Sequence, residues 1–69
     1  MKLSARNTLK GTIKGIEIGA VNVDVTVEVA PGIEVSSIIT KKSCENLGLV
    51  VGKKVYVVIK ASNVMIGVD

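Results

Sequence analysis

The sequence predicts an all-β domain with one short helix. Between Val21 and Val29 a valine occupies every second position, with polar or acidic residues between them. This alternation is the period of a strand with one buried face. Residues 40–47 lose this alternation and are followed by Gly48, a pattern typical of a short helix with a glycine C-cap. Apolar residues make up 48% of the chain, and most are valine and isoleucine, which favour strands.

The first strand precedes this valine-rich segment and is expected to bend. Its apolar phase runs through Leu9 to Ile13, slips at Gly15 and resumes through Ile16 and Ile18. A glycine bulge would produce this slip, because one inserted residue shifts the side-chain alternation and kinks the strand. The chain is then expected to turn at Gly19-Ala20 into the second strand.

The remaining elements follow from turn residues and from returning alternation. Ala30-Pro31-Gly32 predicts a turn into a third strand over 33–39, with a phase slip near Ser36-Ser37, before Thr40 opens the helix. After Gly52, residues 53–60 predict a fourth strand with two apolar faces, and residues 63–68 a short fifth. Five strands with a bent first strand and a helix between the third and fourth indicate a five-stranded OB-like barrel.

The length of the chain favours an oligomer. A single domain over 1–69 hides only about 60% of its unfolded surface. The chain has one cysteine, Cys44, and no histidine, so neither an internal disulfide nor a Cys/His zinc site can supplement the core. The second apolar face of the fourth strand therefore needs cover from a partner subunit. The N-terminus lacks a signal-peptide pattern and no stretch resembles a membrane span, so we expect a cytoplasmic protein with no membrane partner.

Three short clusters concentrate hydrogen-bond donors. Serine, threonine, arginine and lysine side chains occur together, with no carboxylate among them, in Ser4-Ala5-Arg6-Asn7, Thr40-Lys41-Lys42-Ser43 and Lys60-Ala61-Ser62. Arginine and lysine carry no acceptor, and a hydroxyl can turn its proton outward, so such groups suit a ligand that offers only lone pairs. A fully deprotonated oxyanion is such a ligand, and the formal net charge of +3 favours anions.

The helix start gives the middle cluster a specific geometry. If Thr40 is the N-cap, the amides of Lys41, Lys42 and Ser43 lack helical partners and face outward, together with the positive end of the helix dipole. The competing interpretation is that Thr40 only caps its own helix. Arg6 and Lys60 could each be an ordinary solvated charge, and the coincidence of three clusters at element ends favours binding instead.

The residues needed for catalysis, for direct metal coordination or for nucleic-acid binding are missing from the sequence. No pair of carboxylates has a spacing that suggests acid–base work, so we expect no enzyme and no catalytic residues. Cys44 has no basic or histidine partner and is expected to be a small buried hydrophobe, and no side chain is expected to coordinate a metal directly. The chain has one tyrosine and neither phenylalanine nor tryptophan, which argues against nucleic acid, since OB barrels bind single strands by stacking bases on aromatic rings.

Several of these segments together resemble the molybdenum-pterin-binding proteins, or molbindins (Mop), whose domain is called TOBE in transporter ATPases and also occurs in molybdate-responsive regulators. The resemblance covers essentially the whole chain and rests on Ser4-Ala5-Arg6-Asn7, Lys10-Gly11, Ile39-Thr40 with Ser43, Leu47-Gly48-Leu49, Gly52-Lys53, Ile59-Lys60-Ala61-Ser62 and Val64-Met65. It implies an OB-like fold assembled into a homo-hexamer, a trimer of dimers, and a free-standing storage form that holds molybdate between subunits.

The resemblance also implies which residues bind molybdate. In the main site, Ser4, Arg6, Lys60 and Ser62 of one chain would meet Thr40 and Ser43 of another, with main-chain amides around Ala5, Arg6 and Ala61. A second type of site near the symmetry axes would use the turn of Gly19, Ala20, Val21 and Asn22.

The ligand that this implies is molybdate, for intracellular storage and homeostasis. Molybdate carries no proton near neutrality, whereas hydrogen phosphate would leave its proton unpaired in a pocket without acceptors, at a cost of about 1–3 kcal/mol. Nothing in the sequence separates molybdate from tungstate. The alternatives are carriage of the molybdenum-pterin cofactor (molybdopterin), an OB-type nucleic-acid-binding module and a structural subunit without a ligand.

Overall fold

The computed structural model describes residues 1–69 and consists of one antiparallel sheet with a short helix. Its elements are β1 (Asn7–Ile18), β2 (Asn22–Ala30), β3 (Ile33–Thr40), α1 (Lys41–Leu47), β4 (Lys54–Ile59) and a 3₁₀ turn (Ala61–Asn63). The strands are ordered β3-β2-β1-β4. The predicted fold class, mostly β with one helix between the third and fourth strands, is confirmed.

The long strand β1 is shared between two neighbours and bends where the sequence predicts. Its first half pairs with β4, from Asn7 opposite Ile59 to Thr12 opposite Lys54, and its second half pairs with β2. The register against β2 shifts between Ile13 and Gly15, which confirms the glycine bulge.

Gly11 lies where β1 passes close to β2. A methyl group at this position would lie 2.5 Å from Cγ1 of Val27 and 2.7 Å from the carbonyl oxygen of Glu28. Only a residue without a Cβ lets the two strands approach this closely.

The core is small and comes mainly from β2. Ile13, Val23, Val25 and Val27 are the buried residues, so the valine alternation of this strand is confirmed. Val21 precedes the strand and is exposed. Cys44 and Leu49 pack against the core from the helix and from the loop that follows it. The cysteine was expected to be buried, but it is only half-buried at the edge of the core.

The predicted phase slip in the third strand is wrong. Pairing between β2 and β3 continues without a shift through Ser36 and Ser37, and the irregularity lies between Glu28 and Ala30 on the other strand. Ser37 is half-buried on the inner face, while Ile38 is 70% exposed on the outer face. The two adjacent serines indicated a slip that does not exist, because residue polarity does not follow the alternation of inward and outward positions along this strand.

The short helix has a defined cap at each end. The Thr40 side chain accepts a hydrogen bond from the Ser43 amide, and Gly48 is left-handed with φ 61°, so both predicted caps are confirmed. The ammonium group of Lys53 adds two bonds at the C-terminal end, 2.7 Å to the carbonyl of Leu47 and 3.2 Å to that of Gly48.

The predicted fifth strand is absent, and the sheet is not closed into a five-stranded barrel. After β4 the chain makes the 3₁₀ turn, and residues 64–69 form no regular structure. The alternation of this segment is suitable for a strand, but a strand also needs a partner edge, and apart from the Val64 amide no backbone group of the segment has a hydrogen-bond partner in the chain. A barrel closed by this segment within one chain is therefore not formed.

The single chain exposes an unusually large surface. A folded monomer of this mass exposes about 4,100 Å², whereas this chain exposes 5492 Å². On the outer face of β4, Tyr56 is 53% and Val58 42% exposed, so the second apolar face of that strand is uncovered. The structure has no helix that is long and apolar enough to cross a membrane.

Candidate functional site

The first and last donor clusters lie side by side at one end of the sheet. Asn7 pairs with Ile59 at the end of the β1–β4 ladder, and its side-chain amide donates to the carbonyl of Ile59 at 3.2 Å. Residues 4–6 and 60–62 therefore leave the sheet next to each other. We call this group the Arg6/Lys60 cluster; it consists of Ser4, Ala5, Arg6, Lys60, Ala61 and Ser62.

The side chains of this cluster are available for a ligand. All six residues are exposed except Ala5, which is half-buried. The salt bridge of this structure joins Lys14 to Glu28 at 3.9 Å, so neither Arg6 nor Lys60 is neutralised by a carboxylate. The 3₁₀ turn is held by the Asn63 amide, which donates to the carbonyl of Lys60 at 2.8 Å.

The middle cluster, which we call the Thr40/Ser43 cluster, is organised by two hydrogen bonds. The Thr40 hydroxyl donates to Oγ of Ser43 at 2.8 Å and accepts from the Ser43 amide at 3.0 Å. Because the Thr40 proton points to Ser43, the Ser43 hydroxyl is left free to donate its own proton outward. In this chain Thr40 orients the pair and Ser43 presents the donor.

The expectation that three helix-start amides are unpaired is wrong. The Lys41 amide donates to the carbonyl of Val21 at 2.9 Å, and the Ser43 amide is bound to the Thr40 hydroxyl. The Lys42 amide is the one of the three without a partner among the hydrogen bonds of the chain. The first turn is therefore satisfied mostly by its cap and by the neighbouring hairpin, as helix ends require.

The turn named for a second site lies beside the Thr40/Ser43 cluster. Gly19, Ala20, Val21 and Asn22 are all exposed, and the turn is closed by the Gly19 amide, which donates to the carbonyl of Asn22 at 2.8 Å. Asn22 pairs with Thr40 across β2 and β3. The two groups of residues are thus contiguous at one end of the sheet.

The Arg6/Lys60 and Thr40/Ser43 clusters lie at opposite ends of the sheet in one chain. The first adjoins Asn7 at the start of β1, and the second lies beyond Ile18 at its end. At roughly 3.3 Å per residue, β1 runs about 23 Å to the bulge and about 13 Å after it, so even a right-angle bend leaves about 26 Å between its ends. One small oxyanion cannot contact both clusters of a single chain.

Two surface depressions lie away from these clusters. One, of about 450 Å³, is lined by residues that include Lys10, Lys54 and Tyr56, and Lys10 lies 5.9 Å from the centre of the Tyr56 ring. The other is an apolar groove of about 430 Å³. Neither contains a residue of either cluster. The structure also has no group of three metal-ligating side chains.

Two residues that position the clusters carry no clear functional signal in the sequence. Asn7 stands next to Arg6, and its side chain ties the ends of β1 and β4 together. Lys53 anchors the C-terminal end of the helix whose other end carries Ser43. A lysine shortly after a glycine C-cap is a weak signal, because its contact depends on how the intervening loop folds.

Comparison with known proteins agrees with the sequence and the fold. The TOBE domain model matches residues 3–66. The chain is 45% identical over 69 residues to the probable molybdenum-pterin-binding protein of Haemophilus influenzae, with 100% of both chains covered. Its fold matches MopII of Clostridium pasteurianum with a TM-score of 0.90 and 40% identity, over 97% of this chain and 100% of that one.

A solved structure of a larger relative is also similar. The cytoplasmic molybdate-binding protein ModG, solved with molybdate bound, matches with a TM-score of 0.95 and 51% identity. The match covers 100% of this chain and 49% of that one. Family model, full-length sequence identity and fold agree, and the chain therefore belongs to the TOBE domain family, among relatives that are molybdenum-pterin-binding proteins.

Proposed function

We propose that this chain binds molybdate, or tungstate, in the cytoplasm and stores it without chemical turnover. The relatives with similar sequences and folds are named for binding molybdenum-pterin or molybdate. The exposed donors of the two clusters suit this anion, because each of its oxygens offers only lone pairs. Arg6 and Lys60 supply two positive charges against the two negative charges of the ligand.

The proposed main site lies between two copies of the chain. The observation that carries this proposal is that the Arg6/Lys60 and Thr40/Ser43 clusters lie at opposite ends of the sheet. Each chain would contribute one cluster to each of two sites. A homo-hexamer built as a trimer of dimers would repeat such sites, and the exposed turn over 19–22 would supply a second type near a symmetry axis.

Calorimetric titration with sodium molybdate tests the site. Arg6→Ala and Lys60→Ala should each weaken binding by about 2–5 kcal/mol, the usual cost of removing one partner of a hydrogen-bonded charge pair. Lys14→Ala is the matched control, since it also removes one positive charge but from a side chain paired with Glu28. Unchanged affinity in both cluster variants, or equal loss in the control, would place the site elsewhere.

Carriage of the molybdenum-pterin cofactor is the second candidate, favoured by the names of the relatives. A pterin ring needs a stacking aromatic and acceptors for its amino group. Tyr56 is the one aromatic residue and lies with Lys10 on the outer face of the sheet, away from both clusters. Pterin fluorescence released on denaturing the natively purified protein, in proportion to its molybdenum, would favour this candidate over free molybdate.

A further inference from the structure

The outer face of the sheet is positively charged along the first half of β1 and along β4. Lys10 pairs with Tyr56 and Thr12 with Lys54 across these strands, so the four side chains lie on one face, as alternate residues of a strand do. Neither Lys10 nor Lys54 forms a salt bridge, so both positive charges are available to an anion. The acidic residues of this face lie farther along β1, on β2 and on β3; they are Glu17, Asp24, Glu28 and Glu34.

A depression of about 450 Å³ lies on this face between two rows of side chains. The Lys10–Tyr56 pair forms one row, and Lys54 belongs to the next. The backbone of the Gly11–Val55 pair lies between the two rows. Rows on one face of a strand are about 6.7 Å apart, and atoms in contact lie about 3.5–4.0 Å apart. The spacing therefore suits one flat ring that contacts both rows.

Tyr56 provides an aromatic surface in this depression. It is the one aromatic residue of the chain and is 53% exposed, so it offers a stacking surface for one ring. The Lys10 ammonium group lies 5.9 Å from the centre of the tyrosine ring. A ring that stacks on Tyr56 would therefore have a positive charge nearby, which favours a ring with an anionic substituent.

Lys54 places a second ammonium group at the other side of the depression. Its Nζ donates to Oγ1 of Thr12 at 2.7 Å. This bond uses one of the three protons of the ammonium group and leaves two for a ligand. Two ammonium groups on either side of one ring position are suited to a phosphate group, whose oxygens accept charge-assisted hydrogen bonds.

We propose that this depression, which we call the Tyr56 pocket (Lys10, Gly11, Lys54, Val55 and Tyr56), binds a flat heteroaromatic ring that carries a phosphate group. The ring stacks on Tyr56, and Lys10 and Lys54 donate to the phosphate. A purine mononucleotide and a phosphorylated pterin share this chemistry. A single-stranded nucleic acid does not fit it, because proteins hold such strands by stacking successive bases and the pocket has one aromatic ring. The pocket contains no residue of either donor cluster, so the proposal does not rest on the molybdate site.

A second copy of the chain fits this face less well than a small anion. A two-fold contact places the same residues of two chains against each other. A contact centred on Tyr56 would therefore bring the lysines of one pocket against those of the other. Like charges in contact are unfavourable, and the pocket has no carboxylate to neutralise them.

Calorimetric titration of the purified, natively assembled protein tests the pocket with AMP, neopterin monophosphate, adenosine and inorganic phosphate. At least one of the two phosphorylated rings should bind about tenfold more tightly than adenosine and than inorganic phosphate, because these two carry only part of the recognised chemistry. The tighter of AMP and neopterin monophosphate identifies the source of the ring. Absence of binding by both phosphorylated rings would overturn the proposal, as would equally tight binding of adenosine or of inorganic phosphate.

Substitutions at Tyr56 separate stacking from other causes of binding. Tyr56→Phe keeps the ring and should change the affinity for the phosphorylated ring by less than about threefold. Tyr56→Val keeps a strand-forming residue but removes the ring, and it should weaken binding about tenfold. A Tyr56→Val variant that binds as tightly as the original protein would overturn the proposal.

A pair of lysine substitutions tests the contact to the phosphate. Lys54→Gln should weaken binding of the phosphorylated ring about tenfold, because it removes a charged donor to the phosphate. Lys14→Gln is the matched control, since it removes the same charge from a side chain that is paired with Glu28, and it should change the affinity little. Equal effects of the two substitutions would overturn the proposal.

Discussion

Thr40 and Ser43 have separable roles at the scale of single residues. The Thr40 hydroxyl caps the helix through the Ser43 amide and directs its own proton to the Ser43 hydroxyl. The amide at position 43 would keep this cap with any residue except proline, which has no amide hydrogen. We therefore assign stability of the helix start to Thr40 and propose that the Ser43 side chain donates to the anion.

Substitutions at these two residues should separate stability from binding. Thr40→Ala should lower the free energy of unfolding by about 1 kcal/mol, the usual cost of losing an N-cap, whereas Thr40→Ser keeps the cap and should change little. Ser43→Ala should leave unfolding within about 0.5 kcal/mol of the original and weaken molybdate binding about tenfold. Denaturant unfolding at fixed protein concentration and calorimetry measure the two quantities. A Ser43→Ala variant that unfolds easily but binds normally would contradict this assignment.

The donor character of the clusters predicts which anions compete. Tungstate should displace molybdate readily, sulfate weakly and phosphate least near neutrality, since no carboxylate in the clusters can accept the proton of hydrogen phosphate. Short single-stranded DNA should not compete at moderate salt, because a net charge of +3 and one tyrosine give little counterion release or stacking. Competition titrations decide this, and displacement by phosphate as readily as by tungstate would refute the donor argument.

At the scale of elements, the path of β1 fixes where the clusters lie. The strand changes partners near its middle, from β4 to β2, and it does so where Gly11 and Gly15 allow close approach and a bulge. Its start holds Arg6 beside Lys60, and its end leads to the turn beside Thr40. The separation of the two clusters is thus a property of this strand.

The close approach at Gly11 should be sensitive to a single methyl group. Gly11→Ala would place a carbon against Val27 and the carbonyl of Glu28 and should cost about 1–3 kcal/mol of unfolding free energy. Gly67→Ala is the control, because a methyl group there meets no atom within 4 Å, and it should stay within about 0.5 kcal/mol. Thermal or denaturant unfolding measures both, and a Gly11→Ala variant as stable as the control would show that β1 can move away from β2.

At the scale of the whole molecule, the proposed site needs more than one chain. The two ends of β1, next to which the clusters lie, are about 26 Å apart by the length of this strand, and much of the apolar surface of the chain is uncovered. Light scattering of the purified protein should therefore find an oligomer, with a hexamer as the expected state. A folded monomer that persists at micromolar concentration would exclude the interface site.

Mixed oligomers test whether one site spans two chains. Chains carrying Arg6→Ala and chains carrying Ser43→Ala should each bind molybdate poorly alone. After unfolding together and refolding, some interfaces would pair the intact Ser43 of one chain with the intact Arg6 of another, and full-affinity sites should reappear in calorimetry. A site contained within one chain would stay defective in every subunit, and no such sites would be recovered.

Local features of the fold follow from the amino-acid sequence alone. The strand expected over 21–29, the bulge at Gly15 and the helix between Thr40 and Gly48 were predictable, because alternation, capping and glycine conformation depend on residues close together in the chain. The resemblance to molybdenum-binding relatives was also visible in short motifs such as Ser4-Ala5-Arg6-Asn7.

Features that depend on partners distant in the chain were not predictable from the sequence. The alternation of 63–68 indicated a strand, but a strand requires an edge to pair with, and the segment after the 3₁₀ turn pairs with neither edge strand of its own sheet. The amide of Lys41 was expected to be free, but the hairpin carbonyl of Val21 accepts its hydrogen bond. The polarity of Ser37 and Ile38 predicts the wrong face of β3 for each of them. The face on which a strand residue lies is set by the register of the strand with its neighbour. The pairing of β1 with both β4 and β2 likewise places the two donor clusters at opposite ends of one sheet.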